Sequence, residues 1–160
     1  MAKSIKFKND KYLDSTSIAH NQIPLNNYTV YTLAKLKEDI TIQSGGYIPL
    51  NYNDITVNTD NAYSNGTFVC KKAGYYLFNV SVYWWYGYSA GDIAGVLFLN
   101  GLNVCFDWRY YKSRGACTIT KILYLNVGDK IEMKVYNASE TGEAKPLNHE
   151  YNEFCVYKLL

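Results

Sequence analysis

The chain is short of the residues that most chemistries need. Its 160 residues include only 3 prolines and 2 histidines, and no low-complexity run, which argues against a long disordered or collagen-like region. His20 and His149 both fall in polar stretches. Nothing in their spacing sets either beside a thiol with an orienting group behind it, as a Cys/His nucleophile pair requires. No glycine-rich phosphate loop, paired-carboxylate motif or metal-binding repeat occurs, so the chain reads as non-enzymatic. Charge is nearly balanced, 16 basic against 14 acidic side chains for a net +2, which leaves no electrostatic footprint for nucleic acid. No apolar run reaches the roughly 18 residues of a membrane span. The opening Met1-Ala2-Lys3-Ser4-Ile5-Lys6 lacks the apolar segment of a secretion signal, and predicts synthesis in a cytoplasm whatever the final destination.

Cys70, Cys105, Cys117 and Cys155 are widely spaced and sit in apolar strand patterns. A disulfide pair or a metal site would be their functional readings, but there is no CxxC or histidine-rich spacing. With a cytoplasmic origin they are expected as buried reduced thiols. The Asn-x-Ser/Thr sequons at Asn27, Asn65, Asn79 and Asn137 carry little weight without a secretory route.

What the chain has in abundance is tyrosine, 17 residues, a side chain that joins contact area to a polar tip and is enriched at interfaces. It also has long period-two alternation. In residues 75–85, Tyr76, Phe78, Val80, Val82 and Trp84 fall on one face, which specifies a strand with that face in a core. The opposite parity, Tyr75, Leu77, Asn79, Ser81, Tyr83 and Trp85, is mixed and aromatic, and calls for a covering partner. Residues 95–99 are apolar on both parities and predict a central, covered strand. Asn100-Gly101 is the strongest short hairpin signal, and Pro49 places its segment at a sheet edge. Residues 131–136 put Ile131, Met133 and Val135 inward and Glu132, Lys134 and Tyr136 outward. Helical patterning is confined to 32–39, whose continuation alternates, so that segment is predicted as strand too. Residues 109–115 read as a basic, tyrosine-containing loop, and 137–152 as a long exposed loop. Eight or more short strands with regular turns predict an all-β sandwich or barrel. Residues 1–28 differ: Ile5 to Lys8 and Tyr12-Leu13 suggest a small hairpin, and a soft boundary near Tyr28 separates this leader from a domain at 29–160.

Four motifs in register resemble one family. The spacing Phe68-x5-Gly74-x-Tyr76-x-Phe78, the hairpin Leu97-Phe98-Leu99-Asn100-Gly101, the turn Leu125-Asn126-Val127-Gly128-Asp129-Lys130-Ile131 and the closing residues 154–160 are similar to those of the C1q/TNF-like jelly roll. The upstream aromatic is displaced to Tyr63, and Val80 stands where a terminal aromatic is usual. The resemblance spans roughly residues 30–160. It implies a jelly-roll sandwich of about ten antiparallel strands assembled as a homotrimer. Tyr75, Leu77, Tyr83, Trp85, Tyr157 and Leu159 would then face partner copies. The N-terminal residues around Ile5–Asn9, Tyr12–Ser15 and Ile18–Asn21 resemble the leaders of phage fibre and tail-tip proteins. That implies a virion location, with the leader contacting other virion proteins.

The aromatic stretches carry the ligand hypothesis. Tyr86, Tyr88, Trp108, Arg109, Tyr110 and Tyr111 combine flat apolar faces with hydrogen-bonding tips, which suits the C–H faces and hydroxylated edges of sugar rings. The expected function is therefore a trimeric, receptor-binding fibre head that recognises a host-surface glycan or protein. The alternatives are a purely structural virion protein or a bacterial C1q/TNF-like surface protein. No cofactor is expected. Calcium at Asp92, Asp107 or Asp129 is the lesser reading, because Gly128-Asp129 is more simply a turn.

Overall fold

The computed structural model describes residues 5–6, 12–13, 29–84, 91–111, 115–139, 145–147 and 151–159. The strands follow in chain order: β1 (Ile5–Lys6), β2 (Tyr12–Leu13), β3 (Thr29–Lys35), β4 (Ile40–Ile42), β5 (Tyr47–Pro49), β6 (Asp54–Asn58), β7 (Tyr63–Ser64), β8 (Thr67–Val69), β9 (Gly74–Trp84), β10 (Gly91–Leu99), β11 (Leu102–Tyr111), β12 (Gly115–Leu125), β13 (Lys130–Ser139), β14 (Lys145–Leu147) and β15 (Glu153–Lys158). Apart from the antiparallel pair β1–β2, they form two antiparallel sheets of six and seven strands. One runs β11-β10-β13-β8-β7, with β5 also on β13. In the other, β12 lies along the whole length of β9, and β15 with β14 lies on its opposite side. β3 pairs with β15, β4 with β14, and β6 closes the edge beside β3. The all-β jelly-roll sandwich follows the expectation, with more strand segments than the ten anticipated.

The core lies between the sheets. On β9, Tyr76, Phe78, Val80, Val82 and Trp84 are buried, as their parity predicted. Phe68, Ile93, Leu97, Ile131, Met133 and Val135 meet them from the six-stranded sheet. Full burial of each large apolar side chain contributes about 1.5–3 kcal/mol. The β10–β11 hairpin turns on Asn100 and Gly101, at φ 51 and 82, the paired left-handed conformation of a tight two-residue turn. β10 is central, between β11 and β13, and β5 with Pro49 hangs on the outside of β13.

Two predicted loops contain strand. Residues 109–111 continue β11, because Arg109, Tyr110 and Tyr111 keep their pairing with Ile93, Asp92 and Gly91 of β10. The presumed exposed segment 137–152 contains the end of β13, all of β14 and two buried asparagines. Asn137 Nδ2 donates to the Ile42 carbonyl at 3.0 Å. Asn152 takes the Tyr83 N–H on its Oδ1 and donates Nδ2 to the Tyr83 carbonyl, each at 2.9 Å, so its carboxamide does the work of a strand partner. All four cysteines are free thiols, but Cys105 is only half-buried, unlike Cys70, Cys117 and Cys155. Its strand β11 is the outer one of its sheet.

Both ends of the domain meet at one place. Thr29 pairs with Lys158, which pairs with Tyr76, and the Leu159 N–H donates to the Tyr75 carbonyl at 2.8 Å.

Candidate functional site

Strand pairing arranges the outer face of the seven-stranded sheet in rows. One row pairs Tyr124 with Tyr75, and the next sets Ile122, Leu77, Tyr157 and Val30 side by side. The Tyr75 and Tyr124 rings meet edge to face at 5.2 Å. A further row carries Thr120, Asn79, Cys155 and Leu33, and the row after it Thr118, Ser81, Glu153 and Lys35. The face therefore grades from exposed apolar rings to polar side chains. Tyr75, Leu77 and Tyr157 of the predicted interface share the apolar end, and Leu159 adjoins it. Tyr83 lies at the other end, its ring 5.1 Å from Tyr151. Trp85 lies outside the described residues. Tyr124 and Ile122 complete the apolar end. They share β12 with inward-facing Ile119 and Leu125, and without the register nothing placed them against Tyr75 and Leu77.

The outer face of the six-stranded sheet carries an aromatic platform. Tyr47, Tyr136, Ala94 and Trp108 form one row across β5, β13, β10 and β11. Tyr136 lies 5.3 Å from Tyr47 and 5.3 Å from Trp108, and Phe98 lies 5.4 Å from Tyr47. Lys134 Nζ sits 4.5 Å above the Phe98 ring and 3.4 Å from the Glu132 carboxylate. Ala94 and Val96 are 0% and 1% exposed, yet they stand apart from the core cluster between the sheets. The platform covers them from outside. Phe106 and Tyr110 extend the apolar surface and are exposed.

The predicted ligand set is thus divided. Trp108 and Tyr110 share the platform face. Alternation turns Arg109 the other way, where its Nε lies 2.6 Å from Asp107 Oδ1. Tyr111 extends β11 opposite Gly91, while Tyr86 and Tyr88 lie outside the described residues. Tyr47, Phe98 and Phe106 are platform residues that local sequence reading missed; the outward parity of Tyr136 was the available signal.

A sequence profile of the C1q domain matches residues 33–155. The chain belongs to the C1q domain family. A comparison with curated protein sequences gave no match. Among solved structures, an Eiger TNF from S. frugiperda is similar, at a TM-score of 0.61 and 14% identity, over 83% of this chain and 93% of that one. Murine APRIL is similar at 0.55 and 12%, over 76% and 98%. At such identities the likeness is one of fold. C1q/TNF-like domains are generally non-enzymatic and often form trimeric binding modules.

Two of the three acidic residues named for calcium, Asp129 and Asp107, have protein partners in this C1q domain. Asp129 accepts the Asn126 N–H at 2.7 Å and the Asn100 amide at 2.9 Å. These bonds hold its carboxyl below the usual 3.8. Asp107 holds Arg109 and accepts the Thr118 N–H at 3.2 Å. Among the described residues, no three His, Cys, Asp or Glu side chains gather as a metal cage. Burial pushes the Cys117 thiol up to about 12, the opposite of what a nucleophilic thiolate needs.

Proposed function

We propose that this C1q domain is the recognition head of a homotrimeric, non-enzymatic fibre protein that attaches to a surface saccharide. The carrying observation is the division of exposed apolar side chains between two separate faces. The Tyr75, Leu77, Ile122, Tyr124 and Tyr157 surface is broad and aliphatic as well as aromatic, which suits self-association in a closed, symmetric oligomer. The Tyr47, Trp108 and Tyr136 platform is aromatic, with Lys134 and Glu132 beside it, which suits a sugar ring laid flat with its hydroxyls at charged edges. A virion location rests on the resemblance of the N-terminal residues alone.

Light scattering tests the assembly. The wild type should have close to three times the 18.3 kDa chain mass, and the Leu77→Asp/Ile122→Asp double variant should fall to monomer. A stable wild-type monomer removes the self-association reading. Glycan-array binding by the wild type to at least one glycan that a Trp108→Ala variant, still oligomeric, no longer retains supports saccharide recognition by the platform; an oligomer that binds no glycan removes it. Antibody detection in purified particles tests the virion assignment, and absence from them ends it.

A further inference from the structure

A concave site lies away from both faces, where the free edges of the two sheets converge. β6 ends the seven-stranded sheet and β7 ends the six-stranded one. Beside them is a cavity of about 400 Å³ lined by five asparagines, Asn51, Asn53, Asn58, Asn61 and Asn65. That volume falls in the range of about 300–1,000 Å³ typical of small-molecule sites.

Two of the asparagines have structural duties. Asn58 clasps Tyr63, accepting its N–H and donating to its carbonyl, both at 2.8 Å. Asn53 Oδ1 accepts the Lys37 N–H at 3.0 Å. Asn61 and Asn65 adopt left-handed backbone, at φ 50 and 48. Glycine would serve that conformation without a side chain, so backbone shape alone does not call for a carboxamide at both. Among the described residues, no hydrogen bond within the protein engages the side chains of Asn51, Asn61 or Asn65.

The walls are built firmly. Tyr63 is pinned by the Tyr52 N–H donating to its hydroxyl at 3.0 Å. Gly66, next to Asn65 and at φ +79, lies so close to the chain before Asn51 that a Cβ there would stand 2.8 Å from the Leu50 carbonyl oxygen. No Asp, Glu, Lys, Arg or His lines the cavity, while Ile55 offers an apolar surface and Ser64 a hydroxyl.

We infer that this cleft binds a neutral saccharide unit, at a site separate from the aromatic platform. Each carboxamide presents a donor and an acceptor at fixed spacing, matching the paired donor and acceptor character of neighbouring sugar hydroxyls. Ile55 can take the apolar C–H face. With no charge in the lining, neither an anionic nor a cationic ligand has a counterion there.

The test is a ¹H–¹⁵N NMR titration of the full chain with glucose, galactose and N-acetylglucosamine. At least one sugar should saturably shift the side-chain amide signals of Asn51, Asn61 and Asn65, with a dissociation constant on the order of 1 mM. The constant should not change with salt, since no ion pair is involved. The Asn51→Ala/Asn61→Gly/Asn65→Gly variant keeps the left-handed backbone and should bind at least about tenfold more weakly. Asn51→Ala alone, at a site without left-handed backbone, should move affinity the same way at unchanged melting temperature. Trp108→Ala should leave the cleft titration unaltered. Absence of any saturable shift, wild-type affinity in the triple variant, or loss of the shifts in Trp108→Ala would each overturn the site. The platform reading is judged separately, by the glycan array and Trp108→Ala.

Discussion

The rings of Trp108 and Tyr136 lie 5.3 Å apart at an interplanar angle of 34°, and together they roof Ala94, which is fully buried on the open side of its sheet. The outer face of the six-stranded sheet therefore has a small covered layer of its own. Trp108→Ala should uncover Ala94, strip one side of Tyr136 and lower unfolding free energy by about 1 kcal/mol, the scale of an aromatic pair. Urea unfolding at fixed protein concentration reads this, and Trp108→Phe should recover most of the loss.

Three glycines should respond to alanine in a set order. Gly66→Ala meets both left-handed backbone and the Leu50 carbonyl at 2.8 Å, and should cost about 2 kcal/mol or more. Gly95→Ala meets the Met133 methyl at 2.7 Å and Cys117 Cβ at 3.2 Å. Met133 is flexible, so overpacking there should cost about 1–2 kcal/mol. Gly101→Ala meets no atom within 4 Å and carries only the left-handed penalty, about 1 kcal/mol. Melting temperatures should fall in that order.

The thiols should separate by reactivity. Burial pushes Cys117 up to about 12 and raises Cys155 as well, so burial both shields these thiols and opposes forming their thiolates. Cys105 is the half-buried one. Iodoacetamide followed by peptide mass mapping should label Cys105 first, with Cys117 labelled only on unfolding. Equal rates at the two sites would contradict this packing.

Acid should weaken the fold through two surface carboxylates. Asp60 lies below its ordinary 3.8 through the Lys72 ammonium and the Tyr31 hydroxyl, and Asp129 through Asn100 and the Asn126 N–H. A folded-state pKa below the unfolded one means that the stabilisation is present in full above the unfolded value. It is lost as pH falls from there through the folded value. Melting temperature should therefore drop below about pH 4, and less steeply in Asp129→Asn, which has no carboxylate to protonate.

Much of the fold could be read from local pattern. Trp84, Phe78 and Tyr76 were placed in the core by parity, and Asn100-Gly101 was placed in a tight turn, because both signals lie within a few residues. The platform could not be read in that way. Tyr47, Phe98, Trp108 and Tyr136 are brought together by register among four strands distant in sequence. Arg109 was grouped with Trp108 by adjacency, yet neighbours on a strand point to opposite faces. Asn137 and Asn152 are polar and were read as exposed. Both are buried with their carboxamides on backbone groups, Asn137 on the Ile42 carbonyl and Asn152 on the N–H and carbonyl of Tyr83. The Asn-lined cleft escaped notice for a related reason: asparagine and glycine between strands announce a turn, and the turn conceals where the side chains converge.

Thr29, Tyr75 and Leu159 gather at one pole of the sandwich, while Trp84 with Gly115, and Gly91 with Tyr111 and Ser139, mark the other. The molecule thus has a tethering pole and a far pole. The backbone enters the sandwich at Thr29 and reaches Leu159 beside the apolar rows of Tyr75 and Leu77, and in a closed three-fold assembly held together by those rows the far poles would point the same way. An affinity tag or surface linker attached at Leu160 would therefore orient the array and also crowd its association. A fluorophore at Gly115 would report from the opposite pole.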